Sequence, residues 1–145
     1  MVANVMFDLP AVTLSDQTRS SGGLWLGEVV ATFGLIAVIL GVVRSGRSSA
    51  APLAVGAYIG AAYWFTSSTS FANPAVTVAR TLSDTFAGIR PSSVPPFVVA
   101  QLAGGLTAAV LARWLYPDLA DSADQVVVPH PQARRTTEED RPCPS

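Results

Sequence analysis

Leu24 to Val43 form a run of 20 residues, LWLGEVVATFGLIAVILGVV, that carries one charge, Glu28. About 20 apolar residues wound as a helix cross the hydrocarbon core of a bilayer. A helix on the surface of a soluble domain keeps a polar face, and this run has none. The run therefore predicts a transmembrane helix. Composition points the same way. Half of the 145 residues are hydrophobic and 13% are charged, against about 25% charged in a soluble domain.

Two further runs extend the pattern. Ala51 to Thr66, APLAVGAYIGAAYWFT, is short for a span but tolerable with tilt or bilayer thinning. Its Gly56 and Gly60 form a G-x-x-x-G pair, which in lipid lets helix backbones approach closely. Val94 to Tyr116 is the third run, with Ala100, Gly104, Ala108 and Ala112 repeating every fourth residue on one face. Tyr63 and Trp64, and later Arg113, Trp114 and Tyr116, suit the aromatic and cationic belts of a membrane interface.

The charges exclude several classes. Nine cations, all arginine, face ten acids. No basic stripe exists to neutralise phosphates, so a nucleic-acid partner is not expected. One Cys and one His exclude a disulfide scaffold and a zinc site. Both, Cys143 and His130, lie in a polar tail without an activating neighbour, so neither catalysis nor a cofactor or metal is expected. Residues 117–145 are proline-punctuated and charged, and they read as disordered. Residues 1–22 lack the cationic start and continuous apolar core of a secretory signal. They read as an exposed or interfacial lead-in, the stump of an earlier helix.

The segment between the second and third runs carries the chemistry. Ser67 to Ser70 reads as polar and flexible. Asn73 then stands where an N-cap belongs, with Pro74 at the first helical position. A helix from there to about Phe86 would rise roughly 20 Å, too little to cross a core of about 30 Å. Arg80 and Asp84, four apart on one face, are placed to pair. Such a helix lies either outside the membrane or half-way into it. In the second case the carbonyls of Ser70, Phe71 and Ala72 and the amide of Asn73 line a wet path. Carbonyl acceptors and amide donors suit uncharged hydrogen-bonding solutes, and a positive helix end opposes protons and cations. Glu28 has three readings. It accepts hydrogen bonds from this loop, it relays protons or meets substrate, or it sits near the interface.

Asn73-Pro74-Ala75 between the second and third spans resembles the signature of the major intrinsic protein family, the aquaporins and glycerol channels. The Gly27-Glu28 pair, Ala51-Pro52-Leu53-Ala54-Val55-Gly56 and Gln101 in the glycine-rich third run support the likeness, which covers about residues 22–116. The family builds a six-span channel from two inverted halves, and this chain looks like the second. The fold expected is an all-α membrane protein with three transmembrane helices plus one re-entrant half-helix. Its channel domain is 23–116, between the lead-in 1–22 and the cytoplasmic tail 117–145.

The resemblance implies roles by position. Asn73 would donate to the permeating molecule, with Pro74 and Ala75 heading the half-helix. Glu28 would brace the loop, and Tyr63 and Ser70 fall at filter positions. Most members carry Arg directly after Asn-Pro-Ala. Here Val76 stands there, and Arg80 follows one turn later, about 6 Å along. A wider, less polar filter for water, glycerol or arsenite as its uncharged acid is the expectation. The expected partners are the lipid bilayer and either further copies of the chain or a complementary first half. A truncated three-span protein without transport, a remnant or a packing subunit, is the competing reading.

Overall fold

The computed structural model describes residues 2–6 and 8–116. The reading of the tail at 117–145, including His130 and Cys143, lies outside the described residues. Among the described residues are five α-helices: α1 (Val2–Met6), α2 (Gly22–Arg44), α3 (Ala51–Phe65), α4 (Pro74–Ala79) and α5 (Val94–Leu115). Short 3₁₀ turns at Ser48–Ala50, Arg80–Leu82 and Pro91–Ser93 join them.

The apolar runs form helices because nothing inside them breaks the ladder, and local chemistry sets their ends. Ser21 caps α2 by accepting from the Leu24 amide. Gly46, at φ +70°, turns the chain out after Arg44, whose cation suits a helix C-terminus. Pro95 and Pro96 sit in the first turn of α5, where missing N–H groups cost nothing. Among the described residues, two stretches are long and apolar enough to cross a membrane, Gly22–Arg44 and Pro91–Leu115. At 15 residues, α3 rises about 22 Å and falls short of a full core. Two of the three expected spans, α2 and α5, thus have the full length, and α3 is the short one, as its sequence run already was.

The central contact is α2 against α5. Ala100, Gly104, Ala108 and Ala112 are all buried along one stripe of α5. A Cβ on Gly104 would run into the Val29 carbonyl, so glycine is what lets the two backbones meet. The G-x-x-x-G pair of α3 behaves differently. A Cβ on Gly56 or Gly60 would meet nothing within 4 Å among the described residues. Instead α3 is fastened through Tyr58, whose hydroxyl donates to the Ala31 carbonyl at 3.0 Å and lies over Gly34. Large apolar side chains cover the outside of the chain, among them Leu53, Trp64, Leu102, Leu106 and Trp114. An exterior of that kind suits lipid or another apolar surface.

The lead-in is not simply exposed. Its backbone runs beside the segment after α4, with the Thr13 and Ser15 amides donating to the Leu82 and Thr81 carbonyls and Arg90 donating to Gln17. Ser15 and Arg19 are buried. The region reads as polar from its sequence, but its polar groups find partners 60 or more residues away.

Candidate functional site: the loop before Asn73

The loop between α3 and α4 has no helix or sheet to satisfy its backbone. Thr69, Ser70 and Ala72 hold φ values of 64°, 50° and 50°, in the left-handed region that side chains disfavour. Each such residue costs on the order of 1–3 kcal/mol and persists only when its surroundings over-determine it. Here the left-handed residues turn the adjacent amides of Phe71 and Ala72 toward one carboxylate. Glu28, fully buried in α2, accepts from both, at 2.9 Å each.

The same carboxylate reaches α5 and α4. Gln101 Nε2 donates to Glu28 at 2.7 Å and to the Thr77 hydroxyl at 2.7 Å. The Thr77 hydroxyl in turn donates to the Asn73 carbonyl at 3.0 Å. Four elements therefore share one buried polar network, in which each bond is stronger than in water because solvent is excluded. Ser67 donates to the Gly23 carbonyl and lies with Ser68 against Gly27, where a Cβ would be crowded. The expected flexible Ser67–Ser70 stretch is thus fixed, with Ser68 and Ser70 buried.

Turning the amides toward Glu28 turns the carbonyls away from it. Among the described residues, the carbonyls of Thr69, Ser70, Phe71 and Ala72 accept no hydrogen bond. Asn73 follows them as the N-cap of α4, its Oδ1 accepting from the Ala75 amide at 2.8 Å. That bond fixes the side chain and leaves Nδ2 free to donate. Pro74, Ala75, Val76 and Arg80 are exposed, and Tyr63 is exposed near the end of α3, edge-on to Trp64.

The helix after Asn73 is shorter than its sequence suggests. It ends at Ala79, passes into the 3₁₀ turn Arg80–Leu82 and leaves through extended Ser83. The lead-in is the reason. Asp84 Oδ1 accepts from the Ser15 hydroxyl and the Asp16 amide, so the expected Arg80–Asp84 pair does not form. Gly88 packs on Ser15 with no room for a Cβ. Arg19 draws the carbonyls of Phe86 and Gly88 inward at 2.8 and 2.7 Å. Burial pushes the Arg19 guanidinium below its ordinary range; Glu28 and Tyr63 counter this, and Arg80 adds to it.

The chain is 54% identical over 114 residues to the aquaglyceroporin AqpS of Rhizobium meliloti (strain 1021). The chain belongs to the major intrinsic protein family. The match takes in 79% of this chain and 48% of that relative, so the chain spans about half the relative's length. No family model matches the chain. No solved structure matches it.

Within this major intrinsic protein, sequence reading singled out Glu28, Ser70, Asn73, Pro74, Ala75 and Val76, and the structure gathers them on or beside one loop. Arg80 lies just past α4, and its carbonyl accepts from Ile89 at 3.4 Å. Sequence reading missed Arg19 and Thr77. Thr77 was findable, since it sits one helical turn after Asn73 and faces inward. Arg19 gave no signal, because the three carbonyls it binds belong to residues 49 or more positions away.

Proposed function

We propose that this chain forms part of a membrane channel for water and small uncharged solutes such as glycerol, with Asn73, Pro74 and Ala75 at the pore. The row of unpartnered carbonyls from Thr69 to Ala72, ending at the free Asn73 Nδ2, carries this reading. Such a row offers a neutral hydrogen-bonding solute replacements for its water shell one step at a time. It offers a cation no carboxylate, since the Glu28 oxygens are turned onto amides. Val76 leaves the position after Ala75 apolar, which favours a solute larger than water. The name of the relative, an aquaglyceroporin, supports the same class.

Asn73, Pro74 and Ala75 are exposed on this chain. Irregular backbone at membrane depth is tolerated only against protein or a wet cavity. We therefore take the pore to be completed by a complementary unit, a first half or a second copy in the opposite orientation, in the cell membrane with the tail in the cytoplasm.

Stopped-flow osmotic shrinkage of proteoliposomes tests the reading, first with the chain alone and then with a complementary half. Shrinkage faster than empty liposomes, followed by glycerol re-swelling, is expected in at least one of the two. Asn73→Asp should slow it and alter charge selectivity while insertion is retained. Lipid-rate shrinkage in both preparations, with insertion confirmed, would overturn the reading and leave a helical membrane protein without transport.

A further inference from the structure

We infer that Arg19 is a positioning residue for the pore loop: its guanidinium ties the stretch before Asn73 to the stretch after α4 and so fixes which carbonyls stay free. The inference rests on the channel reading for its functional consequence and on geometry for its structural one. Nε donates to Gly88 at 2.7 Å, one terminal nitrogen to Phe86 at 2.8 Å and the other to Ser68 at 3.0 Å. A single planar fork thus bridges two loops that share no helix or strand. Its own backbone is pinned as well, by the Arg19 amide donating to the Ser93 hydroxyl at 3.2 Å.

The guanidinium also lies over the Phe71 ring, 5.2 Å from its centroid, and Phe71 packs at a tilt against Phe97 of α5, with ring centroids 5.7 Å apart. Phe71, Ile89 and Phe97 form the buried apolar cluster beneath the loop. The cation caps this cluster on one side. The result is a peptide held from two directions. A buried anion, Glu28, takes the amides of Phe71 and Ala72, and a buried cation, Arg19, takes the carbonyl of Ser68. Beside these anchors the four carbonyls of 69–72 accept from no donor among the described residues. Three of the five guanidinium N–H groups go to carbonyls and the residue is buried, so its action on a solute runs through the loop.

Lysine distinguishes this fork from a bare charge, because an ammonium on a flexible stem cannot span three carbonyls in one plane. Hydrogen exchange of the full chain in lipid nanodiscs reads the loop directly. Arg19→Lys and Arg19→Gln should each speed exchange of the Phe71 and Ala72 amides about tenfold, with the mid-helix amides of α2 and α5 unchanged. Loop exchange within about twofold of wild type in Arg19→Lys would overturn the inference, as would equal acceleration in the helices. In proteoliposomes, the glycerol-to-water permeability ratio of Arg19→Lys should shift about threefold or more, and an unchanged ratio would overturn it. If the wild-type chain passes neither solute with or without a complementary half, the channel reading fails. The exchange measurement still decides the clamp.

Discussion

The α2–α5 contact and the loop before Asn73 are neighbours held together by different physics. Along α2 and α5 every backbone group inside a helix is already paired. Association there rests mainly on close approach, supplied by Ala100, Gly104, Ala108 and Ala112, with the Gln101–Glu28 hydrogen bond added at one point. The loop has no ladder of its own. Two of its amides and one carbonyl go to charged side chains brought from elsewhere, Glu28 from α2 and Arg19 from the lead-in. The α2–α5 stripe is close because its side chains are small, whereas the loop is held by what distant side chains carry. Charge is expensive inside a membrane protein, so its presence marks where the backbone cannot satisfy itself.

Breaking the loop's anchor should give the largest effect. Glu28→Leu strands two buried amides and the Gln101 side chain, at about 1–3 kcal/mol for each group. Loss of folded, inserted chain is the expected outcome in a detergent thermal-unfolding assay. Glu28→Gln keeps an acceptor and should be milder. Equal tolerance of both would mean that the carboxylate does not hold the loop.

The helix pair is probed next. Gly104→Val drives a branched side chain into the Val29 carbonyl and should destabilise by about 1–3 kcal/mol or more in the same assay. Gly56→Val, on the open face of α3, should shift stability of the isolated chain by no more than about 0.5 kcal/mol. A large Gly56 effect seen only when a complementary half is present would sharpen the comparison, because it would show that face to be a contact between units. The smallest effect belongs to Thr32, whose buried hydroxyl has no partner among the described residues. Thr32→Val removes that orphan and should be neutral or stabilising by up to about 1 kcal/mol. A loss of stability would reveal that the hydroxyl belongs to the Glu28 network.

Much of the site was legible because its residues break the local rules of their surroundings. Glu28 is a lone charge in an apolar helix, and Asn73-Pro74 is a helix start in a stretch too short to span. The small-residue stripe of α5 could be read because its period matches a helix, and its burial against α2 follows. The same logic finds no partner for Gly56 and Gly60 among the described residues. A G-x-x-x-G pair states that close approach is possible and does not say to what. The logic failed for the end of α4. No residue between Arg80 and Phe86 forbids helix, and the chain leaves it because the lead-in supplies better partners for Asp84 and for the carbonyls of Phe86 and Gly88.

The sequence by itself determined the apolar helices, the cap at Asn73 and the one carboxylate that has to find donors. Each depends on composition and on neighbours within a turn or two. The tertiary structure alone decided that the amides of Phe71 and Ala72 are those donors. It also decided that Arg19 is buried between two loops and that α4 stops at Ala79. These outcomes depend on pairing between groups tens of residues apart. Such pairing has no period in the sequence, and it exists only once α2 and α5 have brought the loops together.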